Sequence, residues 1–308
     1  MYEFLYDWQR ATGRPGSLSE NVPLKELTSF RIGGPARFAA RPRTAAELSS
    51  LLRAARQNGL PYAVLGAGSN VLASDAGYPG LLILLSGFDS LKIVGNTLYA
   101  GAGLHLSSLS QAALSAGLTG LEFASGIPGS LGGGLFMNAG AYGGEISQVV
   151  VRVSVMDEDG AVRVLPASAL ELGYRSSLLQ QRPLIALGAE LQLSPEKPEI
   201  IRAKMRELSI RRREKQPVEY PSAGSFFKRP EGYFAGALIE GAGLKNTRVG
   251  GALVSPKHAG FVINTGKASA EDVRALMAYV RRRVEESSGV RLAAEVRYLS
   301  EEGLTELS

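Results

Sequence analysis

A glycine-dense segment constrains the fold of this chain more than any other feature. Residues 101–144 hold 12 glycines in 44 positions, and the densest part is 126–143. Leu131, Phe136 and Met137 interrupt the glycines with side chains that favour burial, so the segment is not a flexible linker. Successive backbone N–H groups in such a segment form concavities for anions, and the missing side chains let a flat ring lie on the backbone. The segment predicts a ligand site built from main chain, and tight turns in a crowded sheet are the alternative.

A second loop of small residues occurs 60 residues before Gly126, at Gly66-Ala67-Gly68-Ser69-Asn70. It follows the apolar run Pro61 to Leu65, which predicts a buried strand. The loop lacks the third glycine of the dinucleotide fingerprint. Two such loops suit a long ligand with a diphosphate in its middle, and tight turning explains the shorter loop equally well.

Composition excludes several classes of site. The chain has no cysteine and two histidines, so disulfides, thiolate metal sites and cysteine nucleophiles are excluded, and we predict no metal site. The absence of a long apolar run and of a signal-peptide pattern predicts a cytoplasmic protein without membrane insertion. The net charge is +5, with 25 arginines and nine lysines. This charge fits anionic small molecules, nucleic acid or an ordinary solvated surface.

The pattern of predicted elements indicates an α+β fold of two domains, because helices and strands mix without strict alternation. Helices with capping boxes are predicted from Thr44 to Gly59 and from Ser269 to Ser288. A strand that ends in a turn is predicted at Thr28–Pro35, and further strands are predicted at Val249–Val254 and Val290–Leu299, among others. Pro195 and Pro198 break the pattern before a basic helix. We therefore predict a first domain of residues 1–205 and a second of residues 206–308.

Seven segments of this chain, in this order, resemble the UDP-N-acetylenolpyruvoylglucosamine reductase (MurB) family. They are Leu65–Asn70, Gly126–Ser130, Met137–Gly143, Tyr174–Ser177, Ser222–Lys228, Lys257–Asn264 and Glu295–Arg297. The resemblance spans roughly residues 28–299. Its most specific parts are the glycine block, residues 126–143, and the serine block, residues 222–228. Only seven residues separate Arg175 from Pro183, so the chain resembles the shorter branch of the family, which lacks a tyrosine loop that covers the substrate.

The resemblance implies an FAD-binding first domain of the vanillyl-alcohol-oxidase (PCMH) type and a smaller C-terminal α+β domain that binds substrate. It implies that NADPH reduces the flavin, and that the enolpyruvyl ether of UDP-N-acetylglucosamine is then reduced to the lactyl ether for peptidoglycan synthesis. The two loops of small residues become the FAD-binding segments. The residues expected to contact FAD are Gly66, Gly68, Ser69, Asn70, Gly126, Pro128, Gly129, Ser130, Gly132, Gly133, Asn138 and Gly140.

Three catalytic residues carry over from the resemblance. Ser225 matches the proton donor, and Arg175 and Glu295 match the pair that stabilises an enolate-like intermediate. A guanidinium can hold the substrate carboxylate through two hydrogen bonds while negative charge grows on it. Without the resemblance, these residues would be read as an ordinary strand serine, a surface arginine and an ion-paired carboxylate.

The expected contacts of the uridine diphosphate are Lys215, Lys228 and Arg229, and Arg229 stands where the family usually has asparagine. The expected partners are therefore the UDP-sugar and NADPH, without nucleic acid and without an obligate protein partner.

Two other functions remain as alternatives. An FAD-dependent oxidase of the same fold would act on another substrate and would lack the serine, arginine and glutamate set. A nucleic-acid-binding protein would use Arg211–Arg213 and Arg281–Arg283, but three consecutive helical residues point around the helix axis rather than along one stripe. Bound flavin separates the first of these alternatives from the second.

Overall fold

The computed structural model describes residues 2–307. Within that range the α-helices are α1 Glu3–Thr12, α2 Ala45–Gln57, α3 Leu106–Ser115, α4 Leu131–Met137, α5 Pro198–Lys215, α6 Ala235–Gly241 and α7 Ala270–Ser288. The strands are β1 Leu18–Pro23, β2 Pro35–Ala40, β3 Tyr62–Leu65, β4 Val71–Ala73, β5 Tyr78–Leu84, β6 Leu91–Val94, β7 Thr97–Gly101, β8 Leu118–Thr119, β9 Gly140–Ala141, β10 Gly144–Glu145, β11 Val150–Met156, β12 Val162–Pro166, β13 Ile185–Gln192, β14 Ser194–Pro195, β15 Ser222–Ser225, β16 Arg248–Val249, β17 Ala252–Val254, β18 Phe261–Asn264, β19 Arg297–Ser300 and β20 Gly303–Glu306. This mixture of helices with largely antiparallel strands agrees with the predicted α+β class.

The chain forms two compact units, and each is discontinuous in sequence. The first comprises Met1–Glu20, Phe38–Ala67 and Leu81–Arg211, and the second comprises Asn21–Arg37, Gly68–Gly80 and Arg212–Ser308. The sequence prediction had a single boundary, and it did not anticipate that two short N-terminal stretches belong to the second unit. The assignment of one ligand-binding role to each predicted domain stays a proposal.

The first unit is built on a five-stranded antiparallel sheet in the order β12-β11-β13-β7-β6. Its core includes the apolar stripe of α2, where Leu48, Leu51 and Leu52 are buried. Thr44 caps this helix as predicted, since its side chain accepts the amide of Glu47. The predicted return bond of the capping box is wrong, because the Glu47 carboxylate accepts the amide of Arg43 instead.

The second unit contains a four-stranded sheet in the order β15-β18-β17-β16 and a three-stranded sheet in the order β20-β19-β4. Its separate core is lined by the apolar face of α7, including Val273, Leu276 and Val280. Ser269 and Asp272 form the predicted capping box at the start of α7, and Gly289 ends the helix in the left-handed conformation. The periodicity and caps of this helix therefore predicted it correctly.

The segment Thr28–Pro35 does not contain the strand that was predicted to precede its turn. Arg31 has a φ of +57° and Gly33 a φ of +127°, which are incompatible with extended backbone. A Cβ added to Gly34 would lie 2.2 Å from the carbonyl oxygen of Asp75, so Gly34 packs directly against the backbone of Asp75. Extended structure begins only at Pro35, in β2.

Two other predicted strands are shorter than expected. The segment Val249–Val254 is a tight hairpin of β16 and β17, because Gly250 turns the chain with a φ of +51°. Of Val290–Leu299, only Arg297 onward belongs to a strand, β19. The residues just before it bond to 226–228 instead, and β19 pairs with a further strand, β20, that the sequence analysis missed.

Candidate functional site

The two loops of small residues come together in the first unit at Gly66 and Ser130. A Cβ added to Gly66 would lie 2.5 Å from the Ser130 hydroxyl oxygen and 3.6 Å from the amide nitrogen of Gly133. Ser130 is the N-cap of α4, and its hydroxyl accepts the Gly133 amide at 3.5 Å. A side chain at position 66 would displace the Ser130 hydroxyl that caps α4, so the backbone of one loop lies against the start of α4 in the other.

Most residues of the glycine block have packing roles in the protein itself. A Cβ on Gly132 would lie 3.0 Å from Ala102 Cβ, and one on Gly140 would lie 2.8 Å from the Gly144 carbonyl oxygen. Asn138 ends α4 in the left-handed conformation and is buried, with its amide donating to the Gly173 carbonyl at 3.1 Å. The packing at Gly132, Gly140 and Asn138 explains why these residues occur there, without reference to a ligand.

Gly133 differs from these three residues. It is exposed, it is not in the left-handed region, and the nearest atom to an added Cβ is the Ser130 hydroxyl oxygen at 3.7 Å. Alanine would fit there and would favour the helix. Gly126 and Pro128 are also exposed just before α4, and the carbonyl of the following Gly129 accepts the Leu106 amide. This bare stretch of main chain fits a ligand that packs against backbone, such as FAD.

Arg175 lies in a tight turn beside the glycine block. Gly173 and Ser176 pair across the turn, and Arg175 has a φ of +54°, in the left-handed region that is uncommon for arginine. Its guanidinium donates to the Gly140 carbonyl at 3.2 Å and lies 5.2 Å from the centroid of the Tyr174 ring. A residue held in this conformation indicates a fixed side-chain direction, which a catalytic cation requires.

The turn around Arg175 is tied to α4 by side chains that the sequence analysis did not single out. The Gln180 amide donates to the carbonyls of Phe136 and Arg175, at 2.6 and 3.0 Å, and the Ser177 hydroxyl donates to the Phe136 carbonyl at 2.7 Å. No motif marks Gln180 in the sequence, because its role depends on the fold of the turn. These bonds connect the position of Arg175 to the glycine block within one unit.

The last three residues of the shorter loop, Gly68, Ser69 and Asn70, belong to the second unit. A Cβ on Gly68, which has a φ of +62°, would lie 2.0 Å from the Leu27 carbonyl oxygen. Ser69 is half-buried, and its carbonyl accepts the Ser29 hydroxyl at 3.4 Å. The Asn70 amide donates to the Glu295 carbonyl at 3.0 Å, and the Asn70 carbonyl accepts the Arg297 amide at 3.0 Å. The loop is thus bonded to the segment that contains the predicted catalytic glutamate.

Ser225 is the last residue of β15, and a bulge precedes it. The pairing of β15 with β18 shifts between Ser222 and Ser225, and Gly224 has a φ of +80°. Bulges change the direction of the side chains that follow them. Ser225 is exposed, although Ala223 and Phe226 on either side are buried. The bulge therefore keeps the hydroxyl out of the core.

The same unit brings Ser225 and Glu295 to neighbouring backbone positions. The Glu295 amide donates to the Phe226 carbonyl at 2.9 Å, and the Lys228 amide donates to the Ala293 carbonyl at 2.8 Å. Segments 225–228 and 293–295 therefore lie side by side. Sequence alone could not reveal this proximity, because 70 positions separate the two residues.

The three cations proposed for the diphosphate lie in the second unit in different settings. Lys215 is exposed at the end of α5. Lys228 pairs with the Glu306 carboxylate at 3.5 Å, and that carboxylate also accepts from Arg297 at 3.3 Å. Arg229 is exposed, and its Cζ lies 4.6 Å from the centroid of the Phe234 ring. Glu306 and Phe234 are contacts that the sequence analysis missed.

His258 has a structural role in the second unit. Its Nδ1 accepts the Gly260 amide at 3.1 Å, and its ring lies edge-on to Phe261 at 5.1 Å. Burial lowers the pKa of His258 below its ordinary value of 6.5. Among residues 2–307, no group of three or more His, Asp or Glu side chains is arranged to hold a metal ion.

Lowering the pH should therefore destabilise the protein through His258. The unfolded chain binds a proton at His258 more readily than the folded protein does. The stability that the neutral imidazole contributes is therefore complete above pH 6.5, and it is lost as the pH falls toward the lower pKa of the folded protein. We expect His258→Gln to flatten the dependence of the unfolding free energy between pH 7.5 and 5.5, measured by urea denaturation. His105→Gln is the matched control, and an unchanged pH slope in His258→Gln would contradict the assignment.

Comparison with known proteins identifies relatives over nearly the whole chain. The model of the FAD binding domain matches residues 36–165, and that of the UDP-N-acetylenolpyruvoylglucosamine reductase C-terminal domain matches residues 216–299. The UDP-N-acetylenolpyruvoylglucosamine reductase of Caldanaerobacter subterraneus subsp. tengcongensis is 46% identical over 301 residues, 98% of this chain and 100% of that protein. The protein of the same name from Lactococcus lactis subsp. cremoris is 48% identical over 281 residues, 91% of this chain and 94% of that protein.

A solved structure agrees with these matches. The crystal structure of the UDP-N-acetylenolpyruvylglucosamine reductase from Thermus caldophilus has a TM-score of 0.78 and 39% identity, and the likeness covers 90% of this chain and 97% of that one. The predicted FAD-binding fold and the predicted C-terminal domain are confirmed as fold assignments.

Proposed function

Because the chain belongs to the UDP-N-acetylenolpyruvoylglucosamine reductase family, we propose that it reduces the enolpyruvyl ether of UDP-N-acetylglucosamine to the lactyl ether. It is an oxidoreductase, a UDP-N-acetylmuramate dehydrogenase, with FAD as cofactor and NADPH as electron source. The product is a precursor of peptidoglycan. The matches support this function and not that of an oxidase with another substrate.

The observation that carries the proposal is the pairing of segments 225–228 and 293–295 in the second unit. It places Ser225, which is exposed and follows a bulge in its strand, next to the backbone bond between Phe226 and the half-buried Glu295. A proton donor and a carboxyl group are the side chains that the second half of this reduction requires.

The proposed FAD site in the first unit is supported by Gly126 and Gly133, which expose main chain without a side chain. FAD bound there would supply the hydride-transfer chemistry that links NADPH to the substrate alkene. The main chain that begins at the exposed Gly126 suits the diphosphate of the cofactor, because backbone N–H groups bind anions without adding bulk.

Arg175 stabilises the charge that develops on the substrate. As the outer alkene carbon gains a hydride, its electrons move toward the carboxylate and make an enolate-like dianion. A guanidinium donates two parallel hydrogen bonds to such a group, and they strengthen as its charge grows. The left-handed turn and the bond to Gly140 limit how far Arg175 can move, so little reorganisation accompanies the reaction.

Ser225 completes the reduction by donating its hydroxyl proton to the carbon that bears the ether oxygen. A serine hydroxyl is a weak acid, but a carbanion-like carbon is a strong base and the transfer is favourable. Glu295 is the second residue proposed to stabilise the dianion, and a carboxyl group there can do so only as a hydrogen-bond donor, because two adjacent negative charges repel strongly. Lys215, Lys228 and Arg229 offer charge to the uridine diphosphate at the other end of the substrate.

The visible spectrum of the purified protein tests this function. A yellow protein that is bleached by anaerobic NADPH and recovers when enolpyruvyl-UDP-N-acetylglucosamine is added would establish cofactor, electron source and acceptor together. Bleaching without recovery would show that the protein is a flavoprotein reduced by NADPH, but it would contradict the proposed substrate. A colourless protein that does not take up FAD would overturn the proposal.

The cellular location and the binding partners of this protein are proposals that follow from its family. In the part of the chain that the structure describes, none of the helices combines the length and the apolar character that a membrane span needs. We infer that the protein acts in the cytoplasm, without nucleic acid and without an obligate protein partner.

A further inference from the structure

Phe234 is a large apolar side chain that the fold leaves in solvent. It is 63% exposed, immediately before α6. Single exposed apolar residues are common and by themselves need no explanation. Here, however, the guanidinium carbon of Arg229 lies 4.6 Å from the ring centroid, within the range of a cation–π contact.

We propose that Phe234 is a positioning residue that orients Arg229 toward the diphosphate of the nucleotide-sugar substrate. The inference rests on the proposed function, since it requires a nucleoside diphosphate in the second unit. It assigns to Phe234 a role in substrate affinity rather than in the chemical step.

The geometry of a guanidinium makes this role physically reasonable. The group is planar, it stacks on an aromatic ring through its face, and its N–H donors lie in its plane and point outward. Stacking and phosphate binding therefore use different parts of the same group. An arginine already stacked loses less rotamer freedom when it binds a phosphate, and this loss otherwise weakens binding.

The backbone around Arg229 makes a side-chain support useful. Strand β15 ends at Ser225, and beyond the isolated pairing of Phe227 with Ala294 the chain has no regular structure up to Pro230. Lys228, one position earlier, is fixed through its amide and through Glu306. The ring of Phe234 gives Arg229 a comparable support at its charged end.

The test is a double-mutant cycle with UDP as the probe. We expect Phe234→Leu to weaken UDP binding and raise KM for the UDP-sugar about two- to fivefold, the strength of an exposed cation–π pair, without lowering kcat. Phe234→Tyr should restore the affinity, since tyrosine also accepts a cation on its face. Tyr233→Leu is the matched control, because Tyr233 is 49% exposed at the next position and should leave UDP affinity unchanged.

The decisive measurement is Phe234→Leu in an Arg229→Gln background. If Phe234 acts through Arg229, removing the ring there should have no further effect on UDP affinity. Equal effects in both backgrounds, or no rescue by tyrosine, would overturn the proposal. Wild-type turnover of the enolpyruvyl substrate separates these outcomes from failure of the proposed function, in which neither UDP binding nor turnover would be found.

Discussion

Ser225→Ala is expected to leave reduction of the bound flavin by NADPH intact and to slow its reoxidation by the enolpyruvyl substrate about 10²- to 10⁴-fold. The first half-reaction moves a hydride from NADPH and needs no proton from Ser225. The second needs a proton at the carbon next to the ether oxygen. Losing the hydroxyl should therefore separate two steps that use the same cofactor.

The structure makes the substitution a clean one. Ser225 is exposed and follows a bulge, so alanine leaves no cavity in the core. Its backbone pairing with Phe261 does not involve the hydroxyl. We expect the unfolding temperature to stay near that of the wild-type protein, which would show that a slow second half-reaction is chemical in origin.

Anaerobic stopped-flow absorbance of the flavin measures both half-reactions, reduction by NADPH and reoxidation by the enolpyruvyl substrate. Ser222→Ala is the matched control, because it removes a hydroxyl from the same strand three residues earlier and should affect neither half. Ser225→Cys retains a proton donor and should recover part of the lost rate. Fast reoxidation in Ser225→Ala would remove Ser225 as the acid, and a slow first half-reaction would point to a disturbed cofactor site.

Helix ends were predictable because their signals are local. The Ser269–Asp272 box and Gly289 define α7 through bonds that span three or four residues. Strand predictions were wrong where a glycine determines the backbone conformation. The tight packing of Gly34 and the turn at Gly250 depend on chain segments that are distant in sequence or on a φ that no pattern encodes.

The candidate site shows the same division between local and distant signals. The glycine loops could be recognised as backbone surfaces, and the structure brings Gly66 to Ser130. The sequence also marked Arg175, but not Gln180, which bonds to its carbonyl and to that of Phe136. Likewise Arg229 was predicted without Phe234. Supporting contacts arise from folding, so a residue type alone does not identify them.

Gly133→Ala is expected to have opposite effects on the apoprotein and on cofactor binding. Gly133 lies in α4 with a backbone conformation that alanine adopts easily, and an added Cβ would meet only the Ser130 hydroxyl oxygen, at an ordinary 3.7 Å. Alanine in place of a helical glycine stabilises by about 0.5–1 kcal/mol. The apoprotein should therefore become more stable.

FAD affinity should nevertheless fall by about 100-fold or more, which corresponds to a loss of about 2.7 kcal/mol of binding free energy. The reason is that the proposed ligand packs directly on the main chain here, and a methyl group would occupy its space. Gly66→Ala would be less informative, because its Cβ would also collide with Ser130, 2.5 Å away, and disturb the protein itself.

Thermal unfolding with and without added FAD, together with fluorescence titration of the apoprotein, measures the two effects. Gly241→Ala is the matched control, since it is also a helical glycine with open space around a Cβ, at the end of α6. It should alter stability without altering FAD affinity. Because ligand binding raises the unfolding temperature in proportion to the logarithm of free ligand over Kd, the two variants should diverge only when FAD is present. Wild-type affinity in Gly133→Ala would mean that the cofactor does not contact this turn of α4, and that the glycine there serves another purpose.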